Sequence, residues 1–148
     1  MSFRPGLEFG GALRVALADD EPIIRHLTEQ MLVSMGCEVI SVASGSALQI
    51  LLEEGGFDLV VSDVDMPGMR GPDVLNARRN LGDLVPFVVI TGNPYNVELA
   101  VKGHLAAVVL SKPFSLVDLE DAMTDVLIAG QHALAEVAHV HQPRLAVG

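Results

Sequence analysis

Five short aliphatic runs, each followed by a stretch with helical spacing, constrain this chain more than any other feature. Leu13–Ala18, Cys37–Val42, Phe57–Ser62, Phe87–Thr91 and Ala106–Leu110 read as strands. Between and after them apolar residues recur at helical spacing, as Ile24, Leu27, Met31 and Met35, and again as Leu116, Leu119, Met123, Val126 and Leu127. These stripes are expected to face the sheet. Gly36, Gly55 with Gly56, Gly82, Gly103 and Gly130 stand where the helices should stop, and Ser44 and Ser115 stand where N-caps belong. Strand and helix alternation of this kind implies a parallel sheet with right-handed crossovers, an α/β fold. Polar Glu38 and Ser41 suit an edge strand, whereas the wholly apolar Leu59–Val61 and Val88–Ile90 suit central ones.

The strands must pack through aliphatic side chains, because half of the 148 residues are hydrophobic while aromatics make up 4% and Trp is absent. That length fits one domain with its own core, placed at 12–130. Residues 1–11 are expected as a flexible N-terminal extension and 131–148 as a C-terminal tail, in part helical over Ala133–Val140. Such a tail is too short for a DNA-reading domain. The formal charge of -10 and a pI near 4.7 repel polyanions, which disfavours nucleic-acid binding. Cys37 has no partner for an internal disulfide and reads as a small core residue. Neither a membrane span nor a signal-peptide h-region is visible, so no membrane association and a cytoplasmic location are expected.

In parallel α/β sheets the loops at the carboxyl ends of the strands gather at one rim, where ligands bind. The polar residues there are Asp19 and Asp20 after the first strand, Asp63 after the third, Thr91 after the fourth, and Ser111 with Lys112 after the fifth. Two like charges about 4 Å apart repel by roughly 4 kcal/mol at an effective dielectric near 20, so three converging carboxylates call for a cation. An all-oxygen site without His or Cys suits Mg2+ or Mn2+, ions that keep several waters and accept phosphate oxygens. Thr91 could donate its hydroxyl to a phosphoryl oxygen and Lys112 could approach another as a point charge. Taken alone, Asp19 or Asp20 would be a cap, Asp63 a turn former, Thr91 a strand residue and Lys112 a surface charge. Their joint placement at four strand ends argues otherwise. The five histidines are scattered and read as solvated or capping residues.

Ala18-Asp19-Asp20-Glu21, Ser62-Asp63-Val64-Asp65-Met66-Pro67 with Gly71, Val89-Ile90-Thr91-Gly92 and Ser111-Lys112-Pro113-Phe114 resemble the receiver domain of two-component response regulators, over about residues 13 to 128. The resemblance implies a flavodoxin-like, doubly wound five-stranded parallel sheet of order 2-1-3-4-5, for which a chemotaxis receiver is a standard example. It implies that Asp63 is the phosphoacceptor, that Asp20 and Asp63 ligate Mg2+ (or Mn2+) through carboxylates, that Asp19 helps through water and that Asp65 offers its backbone carbonyl. Thr91 and Lys112 would contact the phosphoryl group, and the Lys112-Pro113 bond would be cis. The chain would then catalyse only its own phosphorylation and dephosphorylation. Its phosphodonor would be a histidine kinase or phosphotransfer protein, and its output would run through binding a downstream protein, with a homodimer as one form. A stand-alone, single-domain type is expected. One position departs from the pattern: Val109 stands where receivers commonly carry Tyr or Phe, so the usual aromatic rotamer switch is missing. The stretch from Pro86 to Tyr95 loosely resembles a stand-alone proteobacterial subgroup.

Two enzyme-like or cofactor-binding alternatives compete. A haloacid-dehalogenase-like phosphotransferase would use Asp63 and Asp65 as nucleophile and general acid, but Pro67 and the position of Asp19 and Asp20 before the lysine depart from that pattern. A flavin-binding flavodoxin would need a hydroxyl-rich phosphate loop after the first strand, where Asp19-Asp20-Glu21 stands instead. A third reading, an inactive docking receiver, fits poorly with a full set of site side chains.

Overall fold

Side chains alternate across a strand, so a sheet buried on both faces needs apolar residues at every position. Val15, Leu17, Leu59, Val61, Val88 and Ile90 point into one core, while Ala16, Ala18, Val60, Phe87 and Val89 point into a second core on the opposite face. The computed structural model describes residues 11–141. Its strands are β1 (Arg14–Ala18), β2 (Glu38–Val42), β3 (Leu59–Asp63), β4 (Phe87–Thr91) and β5 (Ala107–Ser111). They alternate with helices α1 (Pro22–Ser34), α2 (Gly45–Glu53), α3 (Gly71–Asn80), α4 (Glu98–Val101) and α5 (Leu116–His141). All four strand pairings are parallel, and the order is β2-β1-β3-β4-β5. This is the flavodoxin-like order that the sequence motifs imply. The apolar β3 and β4 are central and the mixed β2 lies at an edge, as their compositions require.

Helix punctuation follows the expected chemistry at two N-termini. Ser44 Oγ accepts the Ala47 amide, and Ser115 with Asp118 forms a reciprocal pair in which each side chain accepts the other's backbone N–H. Two stripes differ from expectation. Leu27 is 53% exposed; Met31 and Met35 do pack on the core as expected, and Thr28 and Leu32 complete the inward face of α1. Thr28 can be buried because its hydroxyl donates to the Ile24 carbonyl at 2.9 Å, which satisfies it inside the helix. Leu116 is exposed as well, leaving Leu119, Met123, Val126 and Leu127 to seal the core under α5.

Gly130 does not end α5, which continues to His141. A Cβ at this position would lie 2.8 Å from Pro86 Cγ, so the glycine permits close packing of the helix against the β4 entry. The region before β5 is the least helical part of the alternation. A 3-10 turn at Pro94–Asn96 and the single-turn α4 replace a full helix. Of the extension expected over residues 1–11, all but Gly11 lies outside the described residues, as does the tail beyond residue 141. Among the described residues, no helix is long and apolar enough to cross a membrane.

Candidate functional site

The parallel arrangement brings the carboxyl ends of β1, β3, β4 and β5 to one rim, and the register aligns Ala18 with Ser62, Asp63 with Ile90 and Thr91 with Ser111. Carboxylate oxygens of Asp19, Asp20 and Asp63 all lie within 4.8 Å of one another. Asp19 and Asp63 are buried and Asp20 is half-buried. The Glu21 amide donates to Asp19 Oδ1 at 2.9 Å, and the Arg25 guanidinium donates to the Asp19 carbonyl at 2.8 Å, fixing the loop between β1 and α1.

Asp63 is held from several sides. Its Oδ1 accepts the Val64 amide at 3.0 Å and lies 3.1 Å from Lys112 Nζ. Its carbonyl accepts the Ser62 hydroxyl at 2.9 Å. A Cβ on Gly71, the first residue of α3, would sit 2.5 Å from that same carbonyl oxygen and 2.9 Å from Ser62 Oγ. Glycine here lets the start of α3 lie directly against the end of β3.

Electrostatics follow from this crowding. Burial raises the Asp19 carboxyl above the usual carboxylate range despite the Glu21 hydrogen bond, and the negative charge of Asp63 pushes it further. Burial likewise raises Asp63, with Lys112 and the Val64 amide pulling the other way and the Asp20 charge adding to the rise. Lys112 loses solvation too, yet its bond to Asp63 and the charges of Asp63, Asp19 and Glu21 outweigh that loss and hold the ammonium protonated. One ammonium does not neutralise three carboxylates. The donor set, oxygen only and excess negative, fits a hard divalent cation.

Thr91 is buried, and its Oγ1 accepts the Asn93 amide at 3.0 Å, which leaves the hydroxyl proton available to a ligand at the rim. Its carbonyl accepts the Lys112 amide at 2.8 Å, tying the ends of β4 and β5 together. The Lys112-Pro113 bond is cis. The Asp65 side chain is 81% exposed and stands 3.6 Å from Arg70, so its carboxylate is outside the cluster. Val109 is half-buried against the core that contains Phe87 and Val101, and Tyr95 is 86% exposed. Asp19, Asp20, Asp63, Thr91 and Lys112 therefore share one rim, as their positions at strand ends predict. The amides of Glu21, Val64 and Asn93 complete it, and no residue type signals a backbone donor in advance.

Residues 15–124 match the response regulator receiver domain family. Among curated proteins, the chain is 36% identical over 126 residues to the sensor kinase CckA of Brucella abortus, covering 81% of this chain and 13% of that protein. It is 32% identical over 117 residues to the transcriptional regulatory protein TctD of Salmonella typhimurium, covering 78% of this chain and 52% of that one. The chain thus spans only part of these relatives. Among solved structures, a response regulator receiver protein from Sinorhizobium medicae is 29% identical with a TM-score of 0.72, over 80% of this chain and 97% of that one. The Vibrio cholerae chemotaxis protein CheY4 is 28% identical with a TM-score of 0.70, over 78% of this chain and 99% of that one. The family match runs through Asp63 and Asp65 and leaves the haloacid-dehalogenase-like alternative without support.

Proposed function

The chain belongs to the response regulator receiver family of two-component systems, and from that premise we propose that Asp63 accepts a phosphoryl group in a Mg2+-dependent reaction. The observation that carries this reading is the clustering of Asp19, Asp20 and Asp63 beside the Lys112 ammonium. Asp20 and Asp63 would hold the ion directly, Asp19 would act through water, and Asp65 would supply its backbone carbonyl. When bound, Mg2+ offsets negative charge on the carboxylates and on the incoming phosphoryl oxygens.

The protein's own groups do the rest. A carboxylate oxygen of Asp63 attacks phosphorus as the bond from phosphorus to the donor's imidazole nitrogen breaks, and the imidazole leaves with the electron pair and takes up a proton. Lys112 then moves its hydrogen bond from Asp63 Oδ1 to a phosphoryl oxygen, and the Thr91 hydroxyl donates to another. The donor is a phosphohistidine on a kinase or phosphotransfer protein, and the output is binding to a downstream protein. Incubation with acetyl phosphate on a Phos-tag gel tests the metal requirement. A retarded band should form with Mg2+ and vanish in EDTA, and a band of equal strength in EDTA would argue against the reading.

A further inference from the structure

Arg25, one turn into α1, stands beside the acidic cluster yet makes no ion pair among the described residues. The side chain is half-buried, and its guanidinium Nη1 donates at 2.8 Å to a neutral acceptor, the main-chain carbonyl of Asp19. The Arg25 amide donates to the Glu21 carbonyl, also at 2.8 Å. One residue of α1 therefore ties down both neighbours of Asp20.

The turn has few other restraints. Glu21 offers no side-chain cap to α1, so the helix entry is set by main-chain acceptors and by Pro22 at its start. Asp19 is fixed further by its amide, which donates to the Val42 carbonyl at 3.2 Å, and by its Oδ1, which accepts the Glu21 amide. Among the described residues no hydrogen bond holds the Asp20 carboxylate itself. Its aim follows from the backbone that carries it.

We infer that Arg25 is a positioning residue for the divalent cation, holding the turn from Asp19 to Glu21 so that the Asp20 carboxylate points at the ion it shares with Asp63. The inference rests on the metal-dependent reading above and adds a residue that acts through the main chain. Charge alone would work in the opposite direction. A cation near the site repels a dication, so deleting the guanidinium without a positional role should tighten Mg2+ binding. Weaker binding on deletion isolates the hydrogen bond to Asp19 as the cause.

NMR titration of the full chain with MgCl2, without any phosphodonor, tests this through the amide signals around Asp20 and Asp63. Wild-type protein should show saturable shifts. Arg25→Met, which keeps the length of the stem and loses the donor, should bind Mg2+ about tenfold more weakly, a loss of about 1.4 kcal/mol, while its spectrum away from the turn stays that of wild type. Arg25→Lys, whose ammonium can still donate to the Asp19 carbonyl, should lose less. Should Arg25→Met fail to fold, Arg25→Gln, too short to span the same gap, carries the comparison. Equal or tighter Mg2+ binding in the variant without the donor, or an equal loss in Arg25→Lys, would overturn the inference and leave the metal reading standing. Absence of saturable shifts in wild type would overturn both.

Discussion

Lys112 Nζ stands 3.1 Å from Asp63 Oδ1, the same oxygen that accepts the Val64 amide. This pair joins the ends of β3 and β5 and places one positive charge in a pocket with three negative ones. Replacing the lysine exposes the imbalance. Lys112→Met should lower the melting temperature in metal-free buffer, with a loss on the order of 1 to 3 kcal/mol, below the cost of breaking a fully buried pair because the lysine is partly solvated. Added Mg2+ should recover more stability in this variant than in the wild type. Calorimetry with and without Mg2+ checks both, and an unchanged melting temperature would show that the pair contributes nothing.

Asp19→Asn should do the opposite. The folded carboxyl of Asp19 binds its proton more tightly than in the unfolded chain, chiefly through burial and then through the Asp63 charge. A raised carboxyl costs stability above its folded value, and the cost disappears as falling pH protonates it. Asn removes the charge and keeps an oxygen for the Glu21 amide. The variant should therefore melt a few degrees higher than wild type at pH 7 in EDTA, with the gap closing toward pH 4. A gap that widens as pH falls would reverse the sign.

Gly71→Ala should disturb Asp63, the proposed acceptor, from the backbone side. The added methyl meets the Asp63 carbonyl and the Ser62 hydroxyl at sub-contact distances, an overpacking expected to cost about 1 to 3 kcal/mol. Relief requires α3 to move off the end of β3, which shifts Asp63. A denaturant melt and a phosphorylation assay should both report losses, and a variant with wild-type stability would show that the loop yields without cost.

Much of this site was legible because polar residues at the ends of apolar strands have few reasons to converge, and parallel topology makes them converge. Asp19, Asp20, Asp63, Thr91 and Lys112 all follow from that logic. At one position of the α1 stripe hydrophobic periodicity points the wrong way: it counts Leu27 as core, whereas Thr28 is the buried neighbour, its hydroxyl satisfied by the Ile24 carbonyl. Gly130 looks like a helix stop because a glycine that ends a helix and one that lets Pro86 approach are alike in sequence. The anchoring of α3 by Arg79, whose guanidinium donates to the carbonyls of Asp83, Val85 and Leu105, was not foreseen, since carbonyl acceptors leave no mark on composition.

In the proposed mechanism, coupling to output works without an aromatic at position 109, where Val109 stands. Going from 1:99 to 99:1 between two states takes roughly 5.5 kcal/mol, while new charge-assisted hydrogen bonds from Thr91 and Lys112 contribute about 1.5 to 3 kcal/mol each. The Asn93 amide on Thr91 Oγ1 links that hydroxyl to the loop carrying Tyr95. Tyr95 is the sole tyrosine and Trp is absent, so intrinsic fluorescence reports this loop directly. Phosphorylation should change the tyrosine emission in wild type and in Val109→Ala but not in Thr91→Val. Loss of the change in Val109→Ala with retention in Thr91→Val would refute the linkage.

The central claim is tested most directly by intact-mass measurement after treatment with acetyl phosphate and Mg2+. Wild-type protein should gain the mass of one phosphoryl group, and Asp63→Asn, in which the attacking carboxylate is replaced by an amide, should gain none. Undiminished modification of Asp63→Asn would contradict the assignment.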